Sequence, residues 1–361
     1  MTDKKKLQNI RDQIDGLDSD ILTLISERGE LAKEVANIKN QDGDKASFYR
    51  PEREAQVLQK IIARNKGPLS DEEMARLFRE IMSACLALEQ KMSVAFLGPE
   101  GTFTQAAALK HFGNSIKTIP LSAIDEVFRE VESGAVNFGV VPIENSTEGV
   151  INHTLDMFMN SSLSICGEVE LRVHHNLMGQ MTDITNITKL YSHQQSLAQC
   201  REWLDANLPH IDRISVSSNA EAARLASLEP GVAAIAGEIA ANFYELHIIN
   251  NSIEDEPDNT TRFLVIGREQ IAPSGSDKTT ILVSTANKPG ALSRLLQPFA
   301  NSDVSLTRIE SRPSRQTMWD YVFFIDMEGH KEDPEIAEVL RVLRDETAML
   351  KILGSYPKAV L

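Results

Sequence analysis

The first 92 residues carry apolar side chains at alternating spacings of three and four. From residue 7 onwards, these positions are Leu7, Ile10, Ile14, Leu17, Ile21, Leu24, Leu31, Val35 and Ile38. This heptad seam predicts one long amphipathic helix that other helices must cover, including one from a second copy of the chain. Two more helices are predicted, over residues 53–64 after Pro51 and over residues 71–92 after a cap at Ser70. No strand pattern interrupts them, so residues 1–92 are expected to form an all-α domain.

Cationic residues interrupt or flank this seam. Arg28 occupies a seam position between two leucines, where a polar residue either sets the register of a coiled coil or contacts a ligand. Lys39 lies eleven residues further on, a rotation of about 20° on a helix, so both side chains share one face. Arg11 lies ~25 Å from Arg28 along the helix, beyond the reach of one small ligand. An antiparallel dimer would bring Arg11 of one copy to Arg28 and Lys39 of the other, which suggests a site for a carboxylate-rich metabolite.

Strand and helix patterns alternate over residues 93–271, which predicts an α/β domain with a parallel sheet covered by helices. A break near residue 172 divides the pattern into two lobes with a cleft between them. Polar loops follow predicted strands at residues 98–104, 142–149, 191–200 and 257–267. Within them, Thr104 is expected to cap a helix, Ser192 to end a strand, His193 to open a helix and Thr261 to precede a strand. Each loop alone reads as a surface turn, whereas four together indicate a ligand site.

The last segment, residues 278–361, follows a polar linker and has the pattern βαββαβ of a ferredoxin-like unit. Pro289 is expected in the first turn of its first helix. With Gly290 it would leave free amide groups near a strand end, a candidate pocket for a small zwitterion. An edge of this sheet also offers pairing with a second copy of the chain.

Composition narrows the possible functions. The chain has 361 residues, enough for two or three domains, and a formal charge of −15, which argues against nucleic acid as a partner. It has no apolar run of membrane-spanning length and no signal-peptide pattern, so a cytoplasmic location without membrane contact is expected. The three cysteines are expected to be buried free thiols. The histidines lack metal-ligand spacing, so no metal is predicted, and the pair at 174–175 is interpreted as packing.

The N-terminal cations belong to a wider pattern. Together with YRPERE (residues 49–54) and IMSACLALEQ (residues 81–90), they resemble the all-helical chorismate mutase family. The resemblance implies rearrangement of chorismate to prephenate, in which the protein holds a compact conformer and stabilises charge on the ether oxygen. It implies catalytic roles for Arg28, Lys39 and Glu89, and substrate-binding roles for Arg11, Arg53, Glu54 and Cys85. Of these, Glu54 would meet the substrate hydroxyl, while Lys39 and a protonated Glu89 would contact the ether oxygen. Cys85 stands where relatives often have serine.

The four loops of the middle segment resemble a second family. GPEGTFTQ, VPIENSTEG, YSHQQSLAQC and NTTRF, in this order, are similar to prephenate dehydratases, whose two-lobed fold is of the periplasmic-binding-protein type. The resemblance implies loss of water and CO₂ from prephenate without a cofactor, with Thr261 as the catalytic hydroxyl. It places the following residues at the substrate: Glu144, Asn145, Ser192, Gln199 and Arg262. For Arg262 the sequence leaves open whether it supports the site or pairs with an acidic group.

The C-terminal unit resembles the ACT domain through PGAL (residues 289–292) and ESRP (residues 310–313). This implies feedback inhibition by L-phenylalanine, bound by Gly290, Ala291, Leu292, Glu310, Ser311 and Arg312. Taken alone, ESRP also reads as a turn that ends a strand at Pro313. The whole chain therefore resembles the bifunctional chorismate mutase/prephenate dehydratase family, as a homodimer or higher oligomer. Two alternatives stay open: a non-catalytic metabolite sensor, and a dehydratase whose helical domain serves only for dimerisation.

Overall fold

The structure, a computed structural model, describes residues 3–41, 49–285, 288–313 and 321–360. Within these ranges the chain forms a helical N-terminal unit, a two-lobed α/β unit and a C-terminal α/β unit, in the order that the sequence predicts. The segment 40–47, which the resemblances leave without a motif, lies almost entirely outside the described residues.

The N-terminal unit consists of the helices α1 (Asp3–Gln41), α2 (Pro51–Arg64) and α3 (Asp71–Glu89). The predicted cap of α3 is confirmed, because the Ser70 side chain accepts a hydrogen bond from the amide of Glu73 at 3.2 Å. The helix ends at Glu89 rather than at Met92, since Gln90 is already extended and a strand begins at Ser93.

Helix α1 projects most of its apolar seam into solvent. Its C-terminal half packs on α3, where Gly29 lies close to the Leu88 side chain and Ala36 is buried. The following large apolar side chains of α1 are each at least 37% exposed: Leu7, Ile10, Ile14, Leu17, Ile21, Leu22, Leu24, Ile25, Leu31, Val35 and Ile38. An apolar row of this length exceeds the patches that soluble monomers usually expose.

Residues 93–271 fold into two lobes joined by two crossings of the chain. The elements before the first crossing are β1 (Ser93–Leu97), α4 (Phe103–Phe112), β2 (Lys117–Leu121), α5 (Ile124–Ser133), β3 (Phe138–Asn145), β4 (Gly149–Val150), α6 (Asn152–Asn160) and β5 (Ser164–Arg172). The second lobe contains β6 (Asn176–Gly179), a 3₁₀ turn (Ile184–Asn186), β7 (Lys189–His193), α7 (Gln194–Gln199), α8 (Arg201–Asn207), β8 (Asp212–Val216), α9 (Asn219–Ala226), β9 (Val232–Ala236), α10 (Glu238–Phe243) and β10 (His247–Asn250). Strand β11 (Thr260–Gly267) returns the chain to the first lobe, and the predicted break near residue 172 coincides with the first crossing.

Both sheets are mixed, so the expectation of a wholly parallel sheet is wrong. The first has the order β2-β1-β3-β11-β5 with β4 paired to β3, and the second has the order β10-β6-β9-β7-β8. In the first lobe β1 is parallel to β2 and β3, but β11 runs antiparallel to β3 and β5. The reason is the return crossing: β11 re-enters from the other lobe, and this direction cannot be read from local alternation. Thr260 and Thr261 are accordingly the first residues of β11 and do not precede it.

The C-terminal unit consists of β12 (Asp277–Thr285), α11 (Ala291–Asn301), β13 (Leu306–Pro313), β14 (Tyr321–Glu328), α12 (Pro334–Glu346) and β15 (Met349–Pro357). Its sheet has the order β13-β14-β12-β15 and is antiparallel throughout. Gly290 has a positive φ of 78° and is the N-cap of α11, so Pro289 precedes the helix rather than lying in its first turn. The unit packs closely on the first lobe, because a Cβ at Gly354 would lie 2.3 Å from the carbonyl oxygen of Ile165.

Candidate active sites

A pocket of about 540 Å³ opens between α1, α2 and α3. Its lining residues include four basic side chains, from Arg28, Lys39, Arg50 and Arg53. Its other walls are mainly apolar residues of α1 and α3, together with Cys85, Glu54 and Glu89. The size suits a small metabolite, and convergent cations among apolar walls favour a compact anion. The structure thus brings together six of the seven residues that the first resemblance implies.

Arg11 is the residue that the fold leaves apart. It is exposed on the N-terminal half of α1 and does not line the pocket. A rise of about 1.5 Å per residue over 17 residues of unbroken helix keeps it far from Arg28 in the same copy.

Glu89 lies at the pocket wall, close to two cations. Burial raises the pKa of its carboxyl group, an effect that the nearby charges of Lys39 and Arg28 oppose. Its atom Oε2 is buried and has no hydrogen-bond partner among the described residues. A carboxyl group in this position retains its proton to higher pH than usual, and its protonated form offers one hydrogen-bond donor to the pocket.

Glu54 is shared between this pocket and the adjoining domain. Its Oε1 lies 3.5 Å from Nε of Arg79, and the Arg79 side chain donates to the carbonyl oxygen of Lys110 at the end of α4. Burial raises the pKa of Glu54 to about 7, although the charge of Arg79 opposes this. The glutamate expected at the substrate hydroxyl is therefore held by an arginine that is itself anchored to the dehydratase-like unit.

We expect the Glu89→Gln variant to have a flatter mutase pH profile than the wild type. If Glu89 donates its proton to the substrate, activity falls as pH rises through its raised pKa, whereas a glutamine amide donates at every pH. The measurement is kcat/KM for chorismate between pH 5 and 9. Glu72→Gln, an exposed position on α3, is the control. Glu54 is present in wild type, Glu89→Gln and Glu72→Gln, so its titration affects all three pH profiles equally. A profile of Glu89→Gln that is identical to that of wild type would therefore show that Glu89 does not contact the reacting atoms.

A second polar cluster lies in the first lobe, where the end of β3 adjoins the first residues of β11. Asn145 and Thr261 are cross-strand partners, and both side chains are at least nine-tenths buried. Nδ2 of Asn145 donates to Oγ1 of Thr261 at 2.8 Å and to Oδ1 of Asn259 at 2.7 Å. The predicted pair is thus in direct contact, and Asn259 joins it.

The orientation of the Asn145 amide is determined by the following loop. Its Oδ1 accepts hydrogen bonds from the backbone amides of Thr147 and Glu148, both at 3.0 Å. Nδ2 must therefore face Thr261, whose oxygen acts as the acceptor. The one hydroxyl proton of Thr261 then remains available for a ligand in the cleft.

Gln199 links the two lobes beside this cluster. Its side chain donates to Glu148 at 3.4 Å, and its Oε1 lies 2.8 Å from Nε2 of His175 in the first crossing segment. His175 is buried, burial lowers its pKa, and its Nδ1 has no hydrogen-bond partner among the described residues. The imidazole is consequently neutral at physiological pH.

Ser192 is tied into the second lobe rather than to the Asn145–Thr261 pair. It is the second-last residue of β7, which ends at His193, one residue later than predicted, and its hydroxyl lies within hydrogen-bond distance of Oδ1 of Asn219 (3.1 Å) and the carbonyl oxygen of Ile235 (3.3 Å). His193 is the N-cap of α7, as predicted. At the first loop the predicted cap is wrong, because Thr102 rather than Thr104 accepts from the amide of Gln105 and begins α4.

Glu144 and Arg262 point away from the cleft, which goes against the substrate contact that the sequence predicts for them. They are cross-strand partners one residue along from Asn145 and Thr261, and successive strand residues face opposite sides of a sheet. Arg262 pairs with Glu168 and Asp326, so of the two roles left open for it the structure supports pairing with acidic groups. Glu144 pairs with Arg308 of β13 at 2.9 Å.

The residues expected at an effector are divided between two places. Ala291 lines a pocket of about 370 Å³ beside α11 and α12, and Leu292 is 44% exposed. None of Glu310, Ser311 and Arg312 lies among the described residues that line this pocket. Arg312 instead pairs with Asp156 of α6 at 2.6 Å. This pairing argues against direct contact between Arg312 and an effector bound within the same copy of the chain.

Several residues of these sites were missed from the sequence. Asn259 stands inside the NTTRF motif, so its place in the motif was an available signal. Arg79 and Arg308 gave no local signal, because each is one of many helix or strand arginines, and only tertiary contacts distinguish them. The three cysteines are buried free thiols, as predicted.

The described residues contain no group of three or more histidine, cysteine, aspartate or glutamate side chains arranged to hold a metal ion. A helix with the length and apolarity needed to cross a membrane is likewise not found among them.

Comparison with known proteins places the chain in a known class of enzyme. Family models match in three consecutive parts: chorismate mutase type II over residues 10–90, prephenate dehydratase over residues 94–271 and the ACT domain over residues 279–345. Along its full length the chain is 60% identical to a bifunctional chorismate mutase/prephenate dehydratase of Pseudomonas aeruginosa, covering all of both chains. A protein of the same name from Aquifex aeolicus is 45% identical, over 99% of each chain.

A solved structure agrees with the two C-terminal parts. The prephenate dehydratase of Arthrobacter aurescens in complex with L-Phe is 35% identical, with a TM-score of 0.68, over 74% of this chain and 90% of that one. The chain therefore belongs to the bifunctional chorismate mutase/prephenate dehydratase family.

Proposed function

We propose that this chain rearranges chorismate to prephenate and then converts prephenate to phenylpyruvate, under feedback inhibition by L-phenylalanine. The observation that carries the proposal is the presence, in one chain of this family, of two separate clusters that contain most of the expected residues. One is the cation-lined pocket of the helical unit, and the other is the Asn145–Thr261 cluster in the cleft. The product of the first reaction is the substrate of the second.

In the mutase reaction one carbon–oxygen bond of the ether breaks while one carbon–carbon bond forms, with no covalent bond to the protein. Chorismate carries two carboxylates, which Arg28 and Arg53 would bind. Negative charge grows on the ether oxygen as the bond breaks, and the ammonium group of Lys39 and the protonated carboxyl of Glu89 would stabilise it. Donors that are already in position within a mostly apolar pocket need no reorganisation at the moment of reaction.

In the dehydratase reaction prephenate and one proton give phenylpyruvate, CO₂ and water. The electron pair of the bond to the ring carboxylate moves into the ring while the C4 hydroxyl leaves as water, and aromatisation drives the step. Thr261 would donate its hydroxyl hydrogen bond to this leaving group, since Asn145 already occupies an acceptor position of the same oxygen. A threonine hydroxyl is a weak acid, so its role is polarisation of the leaving group rather than full proton transfer, and the proton that completes the departing water comes from solvent.

The complete mutase site requires a second copy of the chain in this proposal. The exposed apolar row of α1 favours burial against another helix, with roughly 1.5–3 kcal/mol for each large side chain that becomes fully buried. An antiparallel partner would also bring its Arg11 to the pocket that holds Arg28 and Lys39. We infer a homodimer or a higher oligomer built on such pairs.

Mixing two inactive variants tests the shared site. Arg11→Ala and Arg28→Ala chains, unfolded and refolded together in equal amounts, should recover about one quarter of wild-type mutase activity. Half of the dimers are then mixed, and one of their two sites is intact. Arg28→Ala refolded with Lys39→Ala is the control, because both changes lie in the same copy's half-site and no mixture yields an intact site. If neither mixture recovers mutase activity although mass measurement shows that dimers have formed, the shared site is contradicted.

The finer fold assignments belong to the same proposal. The two lobes with two crossing segments support a periplasmic-binding-protein type of dehydratase domain. The strand order β13-β14-β12-β15 supports a ferredoxin-like ACT domain. The domain limits we infer are residues 1–92, 93–271 and 278–361.

Turnover of chorismate to phenylpyruvate, with and without L-phenylalanine, tests the whole function. We expect the full chain to consume chorismate, to release phenylpyruvate and to be inhibited by L-phenylalanine. Release of phenylpyruvate from prephenate without any consumption of chorismate would favour the alternative in which the helical domain only dimerises. Binding of L-phenylalanine with neither turnover would favour the metabolite sensor.

A further inference from the structure

The strand pair β3–β11 has two faces with different tasks. Asn145 and Thr261 are cross-strand partners on one face, and Glu144 with Arg262, the next pair in the register, lies on the opposite face. This opposite face packs against the C-terminal ACT unit. Any change in position of Glu144 or Arg262 therefore moves the backbone that carries the two cleft residues.

Two strands of the ACT unit contact Glu144 and Arg262. Each strand contributes one side chain of opposite charge, so four charges of alternating sign lie together. Arg308 of β13 and Asp326 of β14 are themselves cross-strand partners. Nε of Arg308 lies 2.9 Å from Oε2 of Glu144, and Nη1 of Arg262 lies 2.6 Å from Oδ2 of Asp326. We call these four residues the interdomain quartet. It joins one cross-strand pair of the ACT sheet to one cross-strand pair of the dehydratase sheet.

The two bridges of the quartet differ in how strongly they are held. The two arginines are similarly shielded, but Asp326 is buried, and the Arg262–Asp326 bridge has further partners in Glu168, Tyr356 and Thr280. The Arg308–Glu144 bridge stands alone: the Glu144 side chain is 37% exposed, and Nη2 of Arg308 is buried without a hydrogen-bond partner among the described residues. The Arg262–Asp326 bridge is thus the more strongly held of the two. The Arg308–Glu144 bridge is the one that a small movement of β13 would break or form.

Three of the six predicted effector residues, Glu310, Ser311 and Arg312, lie on the same strand as Arg308. Glu310 and Arg312 follow it at intervals of two, so the three side chains share one face of β13. Arg312 reaches α6 of the dehydratase unit, where it pairs with Asp156. A ligand that displaces β13 would consequently act on the dehydratase unit through Arg308 first, since Glu144 adjoins Asn145 in sequence.

We propose that Arg308 is a positioning residue of the dehydratase, which holds the Asn145–Thr261 pair through Glu144 and transmits the effector state of the ACT unit to it. The inference rests on the proposed function. For inhibition to follow, L-phenylalanine must bind more tightly to the conformer in which β13 has moved than to the one described here.

The test compares Arg308→Gln, Arg308→Lys and wild type as full chains. We expect Arg308→Gln to lower dehydratase kcat several-fold with a smaller effect on KM, and to raise the half-inhibitory concentration of L-phenylalanine by about tenfold, within the usual range of allosteric coupling. Arg308→Lys retains the charge and should restore most of both properties. Arg341→Gln, whose arginine is an exposed partner of Glu338 on α12, is the matched control and should behave as wild type.

The circular dichroism spectrum and the thermal unfolding midpoint of the same preparations report whether each variant is folded, because mutase turnover reports only on the separate helical unit. If Arg308→Gln does not fold, Glu144→Gln removes the same bridge from its more exposed side and should give the same two changes. Wild-type dehydratase kcat and wild-type inhibition in a folded Arg308→Gln or Glu144→Gln chain would overturn the inference. Failure of the proposed function is recognised separately, because the wild-type chain itself would then release no phenylpyruvate.

Discussion

Replacing Thr261 by alanine should reduce dehydratase turnover by about 10²–10⁴-fold, the usual contribution of a positioned group that assists proton movement. The threonine hydroxyl is buried beside Asn145, which donates to it, and its proton is the group available to the departing C4 hydroxyl. Alanine removes that donor and leaves Nδ2 of Asn145 with only Asn259 as partner. The measurement is the rate of phenylpyruvate formation from saturating prephenate.

Three comparisons isolate the hydroxyl of Thr261. Thr260→Ala removes the neighbouring hydroxyl, which bonds to the carbonyl oxygen of Asp258, and should retain most of the turnover. Thr261→Ser keeps a hydroxyl and should recover much of the loss. Mutase activity should be unchanged in all three variants, because the helical pocket is a separate site. Near-normal dehydratase turnover in Thr261→Ala would refute the assignment.

Replacing Arg28 by alanine should reduce mutase kcat/KM roughly 100- to 1000-fold, comparable with the loss of one positioned donor at a developing charge. Arg28 lines the pocket between α1 and α3, and its charge acts on Glu89 within it. The change removes a cation from a site built for a dianion. It also removes a charge that lowers the pKa of Glu89, so this carboxyl group keeps its proton to higher pH, and the deficit relative to wild type should become smaller as pH rises.

Lys33→Ala is the matched control for Arg28. Lys33 is an exposed cation on the same helix, paired with Glu30 at 2.9 Å, and its removal should leave the mutase rate unchanged. Dehydratase turnover should be normal in both variants. If Arg28→Ala retained wild-type mutase activity, Arg28 would be a register-setting residue of the helix seam, and the pocket would need another occupant.

The two sites were predictable from the sequence to different depths. At the Asn145–Thr261 cluster each residue stands in a local polar motif at a strand end, so both could be selected although they are 116 residues apart. The mutase residues could be selected because helix periodicity places Arg28 and Lys39 on one face. The prediction of a shared site failed for Glu144 and Arg262, which stand in the same motifs as Asn145 and Thr261 but lie on the other face of the sheet.

The N-cap of α4 and the direction of β11 were predicted less accurately than the presence of this helix and this strand. Thr102 and Thr104 are both plausible caps in GPEGTFT, and only the position at which the chain enters α4 selects Thr102. The antiparallel direction of β11 escaped prediction for a related reason. Strand direction follows from how the chain returns between lobes, which is a long-range property.

The sequence by itself determined the three-part organisation, the amphipathic α1 and the strand and helix order, because each of these follows from local periodicity. The candidate residues of the two sites came from the resemblance of local motifs to known families. Tertiary structure alone decided on which face of β3 and β11 each side chain lies. It also decided that Arg79 pairs with Glu54, Arg308 with Glu144, and Asp326 with Arg262. These are contacts between surfaces distant along the chain, formed by charges that look alike in the sequence, so only the packing of the domains assigns each charge its partner.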